Sequence, residues 1–366
     1  MIPLVASLLW YLITTNQYSA ANTLNTRCLD STLVNYKLKG FNGDESYLTH
    51  GHFQTSCGAN LSVHYTHPSV FGSSTGTPSK PILILTHGYP ESSYIWRAVT
   101  PEISTRVPVL VPDQPGYGLS TACCNEVSGC VYDKRSSAKA IMEVARMIYG
   151  DANVVFGGHD RGARTMHRAA VDNNFPGITG LGVWMADIVP FVIEYNSFSN
   201  PKFASGYFHW AFLPKGEFAT DVIMAYGGGA WTKQILGYGS GTNETAVELF
   251  KADRAWDIYI NFFDQLSVTN SSVQDYLAGA TIDYDREVWD QENGTKIEIP
   301  THVMYSQANI GSQFDVPGVW KKYVKAGVSL TTKSVGGGRG HFIIEEAPDE
   351  TAVELNTFLD ALGVEK

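Results

Sequence analysis

The sequence predicts an α/β domain built on a mostly parallel central sheet flanked by helices. Three observations carry that expectation: short runs rich in Val and Ile recur along the chain, turn residues close each run, and a helical pattern follows. Runs that are apolar throughout suit strands covered on both faces. Their alternation with helices suits parallel connections.

The runs come in order. Pro81 to Thr86 (PILILT), Val107 to Val111 (VPVLV), Ala152 to Gly157 (ANVVFG) and Gly180 to Met185 (GLGVWM) read as successive strands. Thr301 to Tyr305 (THVMY), a helix from about Val316 to Val324, a strand from Val328 to Val335 and a closing helix from about Glu350 to Leu362 resume the rhythm. Ahead of the first run, Thr32 to Leu38 (TLVNYKL) and Leu61 to Tyr65 (LSVHY) are expected as antiparallel edge strands. The stretch from about Pro190 to Glu298 has no strand-helix alternation and holds roughly twenty of the 44 aromatic residues. It reads as a helical insertion over the sheet, or as a second core packing only on itself. The expected division is 1–21 leader, 22–189 first part of the core, 190–298 helical cap and 299–366 second part of the core.

The leader is an apolar run of about a dozen residues, Ile2 to Ile13, broken only by Ser7 and followed by small residues at Ser19 and Ala21. A membrane-spanning helix needs about 20 such residues, so a cleaved signal peptide and a secreted chain are expected, with no stable membrane insertion. N-x-S/T sequons at Asn60, Asn243, Asn270 and Asn293 fit a glycosylated chain. In an oxidising compartment Cys28 can bridge to Cys57, and Cys130 to either Cys123 or Cys124, which leaves one of the five cysteines over. No C-x-x-C pair or His-rich cluster accompanies them, so no metal site is expected. A net charge of −10 with no Lys/Arg run argues against nucleic acid as a partner. An anionic substrate would need arginines of its own.

Gly157-Gly158-His159-Asp160-Arg161-Gly162 lies at a strand-to-helix turn. Small residues on either side of a central nucleophile allow the sharp turn that exposes it. The central residue is Asp160, and no G-x-S-x-G occurs in the chain. A carboxylate there attacks an electrophilic carbon and forms an ester; the plain alternative is an Asp that caps the helix. His87-Gly88-Tyr89-Pro90 follows an apolar strand, where the Tyr89 N–H, with the Arg161 N–H, can hold an oxyanion. His341, on the glycine-rich loop after the last predicted strand, is the expected general base. The acid that orients it is Asp187, just past the strand that follows the elbow helix, because the loop after Tyr305 carries no acid before Asp315.

These residues resemble those of the α/β-hydrolase superfamily, in its epoxide hydrolase and dehalogenase branch, and most of all haloacetate (fluoroacetate) dehalogenases. The likeness runs from roughly Gly51 to the C-terminus through HGYPESSYIW (87–96), PDQPGYGLS (112–120), GHDRGAR (158–164), ADIVP (186–190), FHW (208–210), DYLAGATIDYDRE (275–287) and GHFIIEEAP (340–348). It implies an α/β-hydrolase fold with the cap inserted after the strand that follows the nucleophile helix. It also implies a small-molecule substrate and no metal or organic cofactor. By resemblance Arg161 and Arg164 bind a substrate carboxylate, while His209, Trp210 and Tyr276 receive a departing halide or an epoxide oxygen. The activity implied is hydrolytic carbon–halogen cleavage of a small 2-haloacid. Two alternatives stand beside it: an epoxide hydrolase, with Tyr207 or Tyr259 as a second donor, and a non-catalytic ligand-binding protein of the same fold.

Overall fold

The computed structural model describes residues 30–40, 43–125 and 129–366. The expected leader and Cys28 lie outside those residues. An eight-stranded sheet forms the centre. Its strands are β1 (Leu48–Gln54), β2 (Asn60–Thr66), β3 (Ile82–Thr86), β4 (Val109–Pro112), β7 (Ala152–His159), β8 (Ile178–Ala186), β9 (Thr301–Ser306) and β10 (Leu330–Val335), in the order β1-β2-β4-β3-β7-β8-β9-β10. A separate hairpin pairs β5 (Cys123–Asn125) with β6 (Gly129–Val131). β2 is antiparallel to both of its neighbours, and every other adjacent pair in the sheet is parallel.

The apolar strands are buried as their composition requires: all five residues of β3 are inaccessible to solvent. One face packs on helices α1 (Lys134–Tyr149) and α2 (Asp160–Asp172) through Ile141, Ala145, Ala163 and Met166, joined by Trp320. Asp133 starts α1 by accepting the N–H of Ser136. The other face packs on Trp96, Val99 and the C-terminal helix Pro348–Ala361. Between β8 and β9 the chain is helical from Phe191 to Glu292. Its apolar side chains, among them Trp210, Leu213, Phe263 and Tyr276, belong to the same cluster as Leu83, Val155 and Trp184 of the sheet. The aromatic segment is therefore no second core closed on itself.

Two expectations require correction. Thr32–Leu38 is not a strand: the Asp30 carboxylate accepts the Thr32 N–H and hydroxyl and caps a helical turn over Ser31–Val34. Tyr36 then packs on Tyr94, ring centres 4.6 Å apart, and its hydroxyl lies 2.9 Å from Ser93 Oγ. The true edge strand is β1 (LTHGHFQ), whose Gly and two His hide its alternation. Cys57 bonds to Cys123 rather than to Cys28, because the paired bonds between Asn60 and Thr121 bring the two segments together; Cys124 bonds to Cys130 across the hairpin.

Candidate active site

The site grows from the turn between β7 and α2. Asp160 adopts φ 45, a left-handed conformation that a residue with a Cβ takes only when its surroundings enforce it. The enforcement is steric. A Cβ on Gly162 would run into the backbone of His87 and Thr86, and one on Gly158 into Thr86 Oγ1 and the N–H of Ala163. The elbow is thus packed against the loop that follows β3. From that loop the Tyr89 N–H donates to Asp160 Oδ2 at 2.9 Å.

His341 comes from the loop after β10 and Asp187 from the end of β8. Asp187 also has a left-handed backbone, φ 53. His341 Nδ1 is 2.7 Å from Asp187 Oδ2, and its Nε2 is 3.9 Å from Asp160 Oδ1, an ion-pair distance too long for a direct hydrogen bond. The Asp187 carboxylate accepts two further bonds, from the Ser306 N–H (2.8 Å) and from Asn309 Nδ2 (2.7 Å). The backbone of His341 is fixed from two sides: its N–H donates to Gly239 O (2.7 Å), and its carbonyl lies 2.9 Å from His159 Nε2. His159 Nδ1 in turn faces Glu91 Oε2 at 3.1 Å.

Burial alone would raise the carboxyl of Asp160, but the imidazole of His341, with His159 and Arg161 behind it, holds the group far below the usual carboxylate range. The His341 imidazole is pushed well above its ordinary value: burial opposes its charge, and the carboxylates of Asp160 and Asp187 override that.

The three groups open into a cavity of about 470 Å³ under the inserted helices, within the usual size range of small-molecule sites. His209, Trp210 and Tyr276 all line it. The Tyr276 ring centre lies 5.9 Å from that of His209 and 5.6 Å from that of Trp210. Burial lowers His209 to about 4, so its imidazole is neutral at pH 7. Tyr207 also lines the cavity, with its hydroxyl 3.3 Å from Asn309 Oδ1. Tyr259 does not: its hydroxyl donates to buried Glu345 at 2.9 Å.

Both arginines are bound to internal acids, and each keeps, among the described residues, one buried guanidinium N–H without a partner, Arg161 Nη1 and Arg164 Nε. Arg161 is fully buried and turned onto Asp275, with Nε donating to Oδ2 and Nη2 to the backbone carbonyl, both at 2.7 Å. Lys134 Nζ and the Tyr117 hydroxyl complete that cluster. Arg164 does line the cavity, but its Nη1 donates to Val189 O and its Nη2 to Glu194 Oε2, each at 2.8 Å. Both arginines thus meet internal acids, which also answers the unfavourable placing of cations in a first helical turn. Glu194, Asn309 and Tyr207 are lining residues without a motif to announce them. Among the described residues no group of three or more His, Cys, Asp or Glu is arranged to hold a metal ion, and no helix is long and apolar enough to cross a membrane.

A family model described as the α/β hydrolase fold matches residues 81–227, which span β3, the elbow and the start of the inserted helices. The chain is a hydrolase of the α/β-hydrolase fold. This hydrolase is 29% identical to a fluoroacetate dehalogenase from Burkholderia sp. over 283 residues, 77% of this chain and 88% of that one. It is 36% identical to a soluble epoxide hydrolase from Corynebacterium sp. (strain C12) over 92 residues, 25% of this chain and 30% of that one. A crystal structure described as an α/β hydrolase from Nostoc sp PCC 7120 superposes on the hydrolase with a TM-score of 0.71 at 27% identity, covering 86% of this chain and 98% of that one.

Proposed function

We propose that this hydrolase opens an electrophilic sp³ carbon by way of an ester on Asp160. The observation that carries the reading is the unequal setting of the Asp160 oxygens: Oδ2 is tied to the Tyr89 N–H, while Oδ1 looks towards His341 and the cavity. Oδ1 bonds to carbon as the carbon–halogen bond breaks, and the halide leaves with the bonding pair. His341 then takes a proton from water, whose oxygen adds to Cγ. The charge that develops on Oδ2 is met by the N–H groups of Tyr89 and Arg161. Collapse releases the alcohol, which receives the proton from His341, and Asp160 is restored with one oxygen from water.

The fluoroacetate dehalogenase relative supports a carbon–halogen bond as the target. The neutral imidazole of His209, the Trp210 indole and the Tyr276 phenol suit a halide that needs donors in place of water. A second reading, epoxide opening, is favoured by two of the tyrosines that line the cavity, Tyr207 and Tyr276, either of which can protonate a ring oxygen. Binding without turnover is the weaker account, since the nucleophile, base and acid stand together. Replacing His341 with Gln should leave the ester unhydrolysed. Intact mass after exposure to candidate organohalides and epoxides should then show an adduct on Asp160 whose mass names the substrate. No adduct with any of them, in a folded variant, refutes the reading.

We also propose that the chain is secreted and glycosylated. The bonds Cys57–Cys123 and Cys124–Cys130 suit an oxidising compartment. Of the four sequon residues Asn293 is exposed, whereas Asn60, Asn243 and Asn270 are partly buried. Glycan mass on Asn293 after expression through a secretory route is the expected result.

A further inference from the structure

Four tyrosines line the cavity, and they are not equivalent. Tyr238 is 80% exposed, the Tyr89 hydroxyl accepts from Trp231 Nε1 at 2.6 Å, and that of Tyr207 is held between Asn309 and Gln313. Tyr276 is buried, yet its hydroxyl has no hydrogen-bond partner among the described residues. Its ring is covered by a cation: the Arg161 guanidinium carbon lies 4.1 Å from the ring centre. A positive charge over the face of a phenol draws density from the ring and makes the O–H a better donor. Arg161 is fixed there by Asp275, the residue before Tyr276. Asp275 Oδ2 accepts from Arg161 Nε and from the Tyr117 hydroxyl, and its Oδ1 accepts from Lys134 Nζ at 2.6 Å. One carboxylate is thus divided between two buried cations. Lys134, the first residue of α1, is lowered by burial only to about 8 and is charged at pH 7. The neighbouring acid Asp283 is turned to its backbone N–H.

We infer that Lys134, Asp275 and Arg161 form a charge unit behind Tyr276 that supports the departing group, and that this unit lets the cavity open bonds with a poor leaving group. Such bonds are the carbon–oxygen bond of an epoxide and the carbon–fluorine bond. The inference rests on the Asp160 reading and adds its leaving-group range. Lys134 is a positioning residue outside the cavity: by drawing on Asp275, it leaves more of the Arg161 charge to the ring. When an epoxide opens, the bonding pair stays on oxygen, which takes the Tyr276 proton; the phenolate, met by Arg161, regains a proton from water. A halide leaves with the bonding pair and accepts only the hydrogen bond. The order of events helps. Ionised Asp160 opposes loss of the Tyr276 proton, and that charge is spent as the ester forms.

The test compares matched probes in the full chain carrying H341Q, with ester on Asp160 followed by rapid-quench mass spectrometry. The pairs are fluoroacetate with bromoacetate, and styrene oxide with (2-bromoethyl)benzene. For a pair that reacts, adding K134Q should slow the poor leaving group about tenfold or more beyond the bromide. K134R, which keeps the charge, should restore the ratio. Loss of packing alone would slow both members alike. Y276F should shift the ratio in the same direction, and K134Q added to Y276F should shift it no further. A folded K134Q with an unchanged ratio overturns the inference. If K134Q does not fold, Y276F decides in its place, and an unchanged ratio there overturns it. No ester from any probe removes the Asp160 reading and this one with it, whereas ester formed at an unchanged ratio removes this one alone.

Discussion

Asp160 and His341 are coupled charges, and the chemistry proposed for them uncouples them in mid-cycle. While Asp160 is a carboxylate, it helps hold the His341 imidazole in its charged form. Once Oδ1 is esterified that negative charge is gone and the pKa of His341 falls, which frees Nε2 to accept a proton from water. The direction with pH follows. Asp160, held below the usual carboxylate range, stays ionised in mild acid, so alkylation continues. Ester hydrolysis needs neutral His341 and slows as pH falls. Rapid-quench mass spectrometry of the wild-type enzyme should therefore show ester accumulating at about pH 5, below the ordinary value of His, about 6.5, and not at pH 8. In H₂¹⁸O a single turnover should label Asp160 before it labels product, and D160N should be inactive. That Asp160, Asp187 and His341 come together was legible in the sequence because backbone geometry dictates their neighbours: glycines at an elbow, an acid past a strand, a histidine on a glycine loop. The partners of Arg161 and Arg164 were not. Asp275 is 114 residues from Arg161 and Glu194 is 30 from Arg164, and nothing local ties either pair together.

At the scale of the element, the elbow and the loop after β9 carry the precision. Gly162 faces backbone of the loop after β3, which cannot swing aside as a flexible side chain would. Gly162→Ala should cost about 2–3 kcal/mol of stability, read from denaturant unfolding, and most of the activity. Asn309 donates to Asp187 from the loop that ends β9. Asn309→Ala leaves a buried carboxylate one donor short, a loss of about 1–3 kcal/mol. Ester hydrolysis should slow roughly ten- to hundred-fold by that account, with the alkylation rate little changed. Single-turnover kinetics separates the two steps. Continuous apolar strands such as β3 were readable, as were β7 and β9, because burial on both faces leaves few polar residues to blur them. β1 and the hairpin of β5 and β6 were not, since one is half exposed and the other is only three residues to a strand.

The whole molecule is held by one apolar cluster that runs from the sheet into the inserted helices, with a second on the opposite face. Cavity walls and cavity floor therefore share one packing unit, and unfolding should be monophasic whether followed by Trp fluorescence or by far-UV signal. The bond between Cys57 and Cys123 closes a separation of 66 residues. Removing it by Cys57→Ser with Cys123→Ser should lower stability by up to about 4 kcal/mol on chain-entropy grounds, seen as a lower denaturant midpoint. The hydrogen bond from the His341 N–H to Gly239 O has a consequence in time rather than in space. Synthesis delivers the N-terminal portion first, so the elbow, the Tyr89 loop and the inserted helices emerge long before residue 341 of 366. On the Asp160 reading the base is therefore the last part of the site to be made, and turnover waits on the final residues of the chain.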